Sequence, residues 1–310
     1  YMAIRRPNMA TITDATEVYK SVQGTGGDAL ADIGFPTDFV IFKGAVTGSA
    51  ENVEIATRLQ GRKISLRSHS SDAESVDNGG KWNFDRQNSF SQQISSGSSN
   101  LMHNFKRAKG FLDVVCYNGT GSAKTEAHSL GVVPEMMWVK VRNESQRWNI
   151  YFKGGSMDAT DYLILNGTNA PQDSDTRWND TDPTSSVFTV GSSAETNTSG
   201  DTYIAYLFAS LAGVSKIGTV VHSGSSTDVD CGFSAGARFV MLKDISAAGD
   251  WYVWDSVRGI IAGNDPVFSL NNRDAEQTDK DWIDPLASGF NINGAGDYLS
   301  DGTYLFWAVA

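Results

Sequence analysis

The chain has 310 residues, 40% of them hydrophobic, which supplies enough apolar material for packed cores and excludes a disordered polymer. A net charge of −11 opposes a sequence-independent grip on nucleic acid, which needs clustered Lys and Arg. No apolar run approaches the length of a membrane span, so no membrane insertion is expected.

Gly is frequent (31) and Pro scarce (7), and Ser, Thr, Asn and Asp crowd between short apolar runs, the turn chemistry of an all-β protein. In chain order, residues 1–6 read as a closing strand, the last strand of a preceding, truncated repeat over 1–7. A longer polar link is expected over 8–27. Repeat one, 28–110, has an opening strand over 35–43, a strand over 63–67, Trp82, Phe90 and a closing strand over 103–108. Repeat two, 111–212, has its opening strand at 135–142 and further strands at 148–151 and 162–165. A polar loop with Trp178 follows, then a strand at 187–190 and a closing strand at 203–209. Repeat three, 213–310, shows the same order, with strands at 238–243, 250–254 and 267–271, Trp282, Phe290 and a closing strand at 304–310.

Three sets of landmarks keep step across the repeats: Lys43, Lys140 and Lys243; Trp82, Trp178 and Trp282; Phe90, Phe188 and Phe290. Three coincidences in one order are internal homology. The expected fold is therefore all-β, a tandem array of antiparallel β-sandwiches of jelly-roll or lectin-like type. The joints over 110–117 and 213–221 are apolar strands with no flexible Gly/Ser character, so the array is expected to be a fairly stiff rod.

The runs at 1–7, 105–115 and 128–137, the last with its His-x-Leu-Gly-x-x-Pro phrase, resemble repeated domains of unknown function in long virion proteins of marine tailed bacteriophages. The resemblance spans nearly the whole chain and implies a tail-fibre or surface-fibre role, with no catalytic residues to carry over. Repeat one lacks the His128 phrase, and repeat three has Cys231-Gly232-Phe233 in its place, so any role of His128 belongs to repeat two alone.

The side chains offer little chemistry. His69, His103, His128 and His222 show no metal-ligand spacing, and Cys116 and Cys231 fall at non-corresponding positions, which argues against a disulfide. No nucleophile elbow or phosphate-binding Gly-rich loop occurs, and no pair of carboxylates is singled out for glycoside cleavage, so no enzyme is expected. No cofactor is expected; Ca²⁺ is the one alternative, at Asp173, Asp175, Asp180 and Asp182 or at Asp274, Glu276, Asp279, Asp281 and Asp284. The acidic Trp loops, with Trp178, Asp175 and Asn179 and with Trp282, Asp281 and Asp284, are the sites where a ring could stack on sugar beside polar groups. That the Trp recurs in every copy favours packing instead.

The expected function is a non-enzymatic virion structural protein on the outside of the particle. Its partners would be other virion proteins and copies of itself, a trimer covering aromatic faces that one domain leaves bare. The alternatives are an adhesin that binds host-surface glycan through the Trp loops and, as a minority reading, a surface-polysaccharide depolymerase.

Overall fold

The computed structural model describes residues 9, 11–25, 31–44, 51–77, 81–92, 99–294 and 299–310. The closing strand expected over 1–6 lies outside them. The described chain is nearly all β, as its composition requires.

Each repeat builds a main antiparallel sheet with one strand order: joint, closing, opening, second, third. The joint strands are Tyr19–Thr25, Leu112–Asn118 and Ser215–His222. The closing strands are Ser99–Phe105, Thr202–Phe208 and Gly302–Val309. The opening strands are Phe39–Lys43, Met136–Val141 and Phe239–Asp244. The second strands are Val53–Thr57, Asn149–Phe152 and Trp251–Asp255, and the third are Ile64–Arg67, Asp161–Ile164 and Phe268–Ser269. A smaller antiparallel sheet covers the outer face of each main sheet and carries Phe90, Phe188 and Phe290 on matching strands.

Strand Tyr19–Thr25 falls where a polar link was expected, so the main sheet of repeat one starts before residue 28. Asp14 caps the short 3₁₀ turn Ala15–Glu17 with its carboxylate, and Tyr19 to Thr25 then pair one for one with Phe105 to Ser99. The strand hid because Lys20, Ser21, Gln23 and Gly24 carry no apolar alternation.

The opening strands are buried along their whole length, so both faces of each main sheet must be covered. Alternate side chains divide the work. Val40 and Phe42, Met137 and Val139, and Val240 and Leu242 enter the core beneath their own outer sheet. Phe39 and Ile41, Met136 and Trp138, and Phe239 and Met241 enter one core common to all three repeats. In the closing strands, Leu101 and Phe105, Ile204 and Phe208, and Leu305, Trp307 and Val309 point the same way. Trp307 lies among rings from every repeat, with centroids 5.2 Å from Phe105, 6.3 Å from Trp138, 4.6 Å from Phe208 and 4.9 Å from Phe239.

The repeats therefore close into a ring around a shared core, and the stiff rod expected from the joints is not what forms. Each joint is a sharp reversal at a glycine with positive φ, Gly110 (73°) and Gly213 (72°), that starts the next sheet against the previous one. An L-residue would be strained at either place.

Candidate functional site

The lysine landmarks kept in step are explained by the ring. Lys43, Lys140 and Lys243 end equivalent opening strands and are buried. Each reaches across a seam to carbonyl oxygens of the preceding repeat. Lys140 Nζ donates to Ser71 O (3.1 Å), Lys243 Nζ to Thr168 O (3.4 Å), and Lys43 Nζ to Asp274 O (2.9 Å) and Arg273 O (3.3 Å), which closes the circle. Burial pushes all three ammonium groups down to about 8.

A second set of seam bonds comes from the second strands. The Trp148 indole donates to Arg67 O (2.9 Å) and the Trp251 indole to Ile164 O (3.0 Å), equivalent acceptors in the preceding repeat. Val53 holds the matching position in repeat one, where no such donor exists, and Ser68 Oγ instead donates to Leu270 O (2.6 Å).

The first–third seam carries a buried polar cluster of its own. Tyr206 and Trp307 sit where repeat one has His103, and Thr57 and Phe152 where repeat three has Asp255. His103 Nδ1 faces the Tyr19 hydroxyl at 3.0 Å, and Ser21 Oγ donates to Asp255 Oδ1 at 3.4 Å. Arg258 Nε donates to Asp255 Oδ2 at 2.5 Å and pairs with Glu276 at 3.1 Å. All are buried or nearly so; burial drives His103 down to about 4, so the imidazole is neutral at physiological pH. Burial works to raise Asp255, but Arg258 and the bonds it receives hold that carboxyl below its usual range.

The residues expected to grip sugar through their rings do not present those rings. Trp178 is fully buried at the end of the short helix Asp175–Trp178, its indole donating to Asp161 O at 3.0 Å. Asp175 and Asn179 are exposed beside it, but the stacking platform is in the core of repeat two. Trp282 is 8% exposed and packs in the core of repeat three, as Trp82 does in repeat one. Asp281 and Asp284 lie near the buried Asp265, whose carboxyl is pushed up to about 7 by burial, with both neighbours adding to the rise. The acidic residues weighed for Ca²⁺ are not gathered. Asp182 accepts from the Tyr151 hydroxyl (2.9 Å) and pairs with Lys153, while Glu276 pairs with Arg258. Among the described residues no group of three or more His, Cys, Asp or Glu is arranged to hold a metal ion. His69 accepts from Val53 N, and His128 contacts Thr184 O, each within its own repeat. Cys116 and Cys231 are not joined in a disulfide, and burial pushes Cys231 up to about 12, where it is a poor nucleophile.

One site was not legible in the sequence. Between the opening, second and closing strands of repeat three lies a cleft of about 150 Å³ lined by Asp244, Tyr252, Trp282, Leu299, Ser300 and Tyr304. The Tyr252 and Trp282 rings meet edge to face at 5.0 Å. Asp244 Oδ1 takes three short-range bonds, from Ser246 N, Ser246 Oγ and Ala247 N. Its Oδ2 and the Tyr252 hydroxyl have no hydrogen-bond partner among the described residues. Burial holds the Tyr252 phenol at about 12, so it stays a donor. Strand pairing shows that Gly44 and Val141 replace Asp244, and Glu54 and Asn149 replace Tyr252, in the other two repeats.

Together these features define an all-β protein of three homologous sandwiches closed on one core, whose in-step side chains pack the cores and tie the seams, and whose third repeat carries a polar cleft that the other two do not repeat. Residues 81–310 match the family model described as Domain of unknown function (DUF7483), and the chain belongs to that family. No curated protein matches it.

Proposed function

We propose that this chain is a non-catalytic structural module of a tailed-phage virion, a segment of a tail fibre or surface fibre that faces the outside of the particle. The observation that carries the reading is the shared core. Three sandwiches that bury seven of the eight Trp side chains to under 2% exposure form one stiff block suited to bearing load and displaying loops. The resemblance of its repeats to phage virion domains supplies the setting. The aromatic faces that argued for a trimer are covered by the chain's own repeats, so assembly with further copies or with other virion proteins would run through the outer loops.

The test is proteomic. Mass spectrometry of virions purified from a phage encoding this chain should recover its peptides at the stoichiometry of a fibre component, with surface proteolysis releasing them. Expression in the lysate with no peptides in purified particles would overturn the reading.

A further inference from the structure

We propose that the cleft of repeat three is a subsite for a single neutral pyranose ring. Its volume of about 150 Å³ is on the scale of a single sugar ring and too small to bury a longer glycan fully. The chemistry matches that occupant. Tyr252, partly exposed and backed edge to face by Trp282, offers a ring whose electron-rich face attracts the C–H side of a pyranose. Asp244 Oδ2 is a charged acceptor for sugar hydroxyls, and the Tyr252 phenol is both donor and acceptor. Asp244 is held in its turn, since Ser246 and Ala247 occupy Oδ1, which leaves Oδ2 to accept from a ligand in the cleft it lines. Ser300, exposed at the rim, adds a hydroxyl beside the Tyr304 phenol, which donates to Ser300 O at 2.8 Å.

Asp244 and the neighbouring Asp250, in a chain of net charge −11, repel a carboxylated or sulfated sugar. The ligand class is therefore an uncharged hexose. Repeats one and two carry Gly44 with Glu54 and Val141 with Asn149 at these two positions, so neither copy repeats the Asp–Tyr pair. A sugar subsite here is independent of whether the chain stands on a virion.

The probes are the methyl α-glycosides of glucose, galactose and mannose, with methyl glucuronide as the charged counterpart, each titrated against the intact chain by NMR. At least one neutral glycoside should bind in the millimolar range and shift resonances of Tyr252 and the Trp282 indole. Methyl glucuronide should bind more weakly. Asp244→Asn should weaken binding about tenfold and Tyr252→Phe severalfold, as expected for loss of a charged and a neutral hydrogen bond. A melting temperature for each variant separates a lost site from a lost fold, and Tyr252→Phe is the milder of the two. Absence of binding by all three neutral glycosides at 50 mM, roughly fifty times a millimolar constant, would overturn the proposal. Equal binding to wild type and both folded variants, or tighter binding of methyl glucuronide, would overturn it as well.

Discussion

Replacing Trp307 by Ala tests whether the three repeats share a core or merely touch. The indole is fully buried and within 4.6–6.3 Å, centroid to centroid, of Phe105, Trp138, Phe208 and Phe239. Truncating a buried Trp costs about 3–5 kcal/mol in lost transfer energy and residual cavity. Four aromatic contacts, each worth about 0.5–1.5 kcal/mol beyond area, place the loss at the upper end. Against a total stability on the order of 5–15 kcal/mol, that is a large fraction. Because the cavity opens between repeats, the loss should spread to all of them. Hydrogen exchange read by mass spectrometry should show protected amides in 39–43 and 101–105 of repeat one exchanging at least about a hundredfold faster, as a loss near 3 kcal/mol requires. Trp307→Phe should give a smaller effect of the same pattern. If exchange accelerates in repeat three while repeats one and two keep their wild-type protection, the shared core is refuted.

Trp251→Phe removes the donor to Ile164 O and should destabilise the chain by about 1–3 kcal/mol in urea titration, since a buried carbonyl loses its partner. The three seam lysines lie at about 8 when folded against an ordinary 10.5, so between those values the unfolded chain holds more protons. Stability should therefore rise with pH from about 8 towards 10, and calorimetric melting temperature should show a smaller rise in Lys140→Met. Asp265 has the opposite sign, because its folded carboxyl, pushed up to about 7, binds protons that the unfolded one releases above 3.8. Its contribution is present in acid and lost as pH rises through 7, so Asp265→Asn, which keeps the Ile261 N bond, should raise the melting temperature at pH 8 by a few degrees, about 1–2 kcal/mol.

Most of the strands were legible because short apolar runs bounded by Gly, Asn and Asp have few other uses, and the lysine landmarks fall at matching ladder positions. Closure was written in the sequence but not read from it. Strands such as 136–141 are apolar at every position except Lys140, which means two covered faces, while one repeat supplies a cover for only one. The buried lysine was itself a clue, since an ammonium in such a strand needs acceptors from a neighbour. The Trp loops misled because acidic surroundings suggested exposure, whereas the polar residues sit outside and the ring turns in. The cleft of repeat three could be seen only after strand register aligned Asp244 and Tyr252 with Gly44 and Glu54; until then they were two more polar residues near a strand.

Small-angle X-ray scattering of the isolated chain, at a concentration where light scattering gives the mass of one copy, tests the closed ring most directly. A single compact body of this length has a radius of gyration of about 20 Å. Three units of about 13 Å set end to end, with centres roughly 30 Å apart, would give about 28 Å. The ring predicts the smaller value, and a radius near the larger one would contradict it.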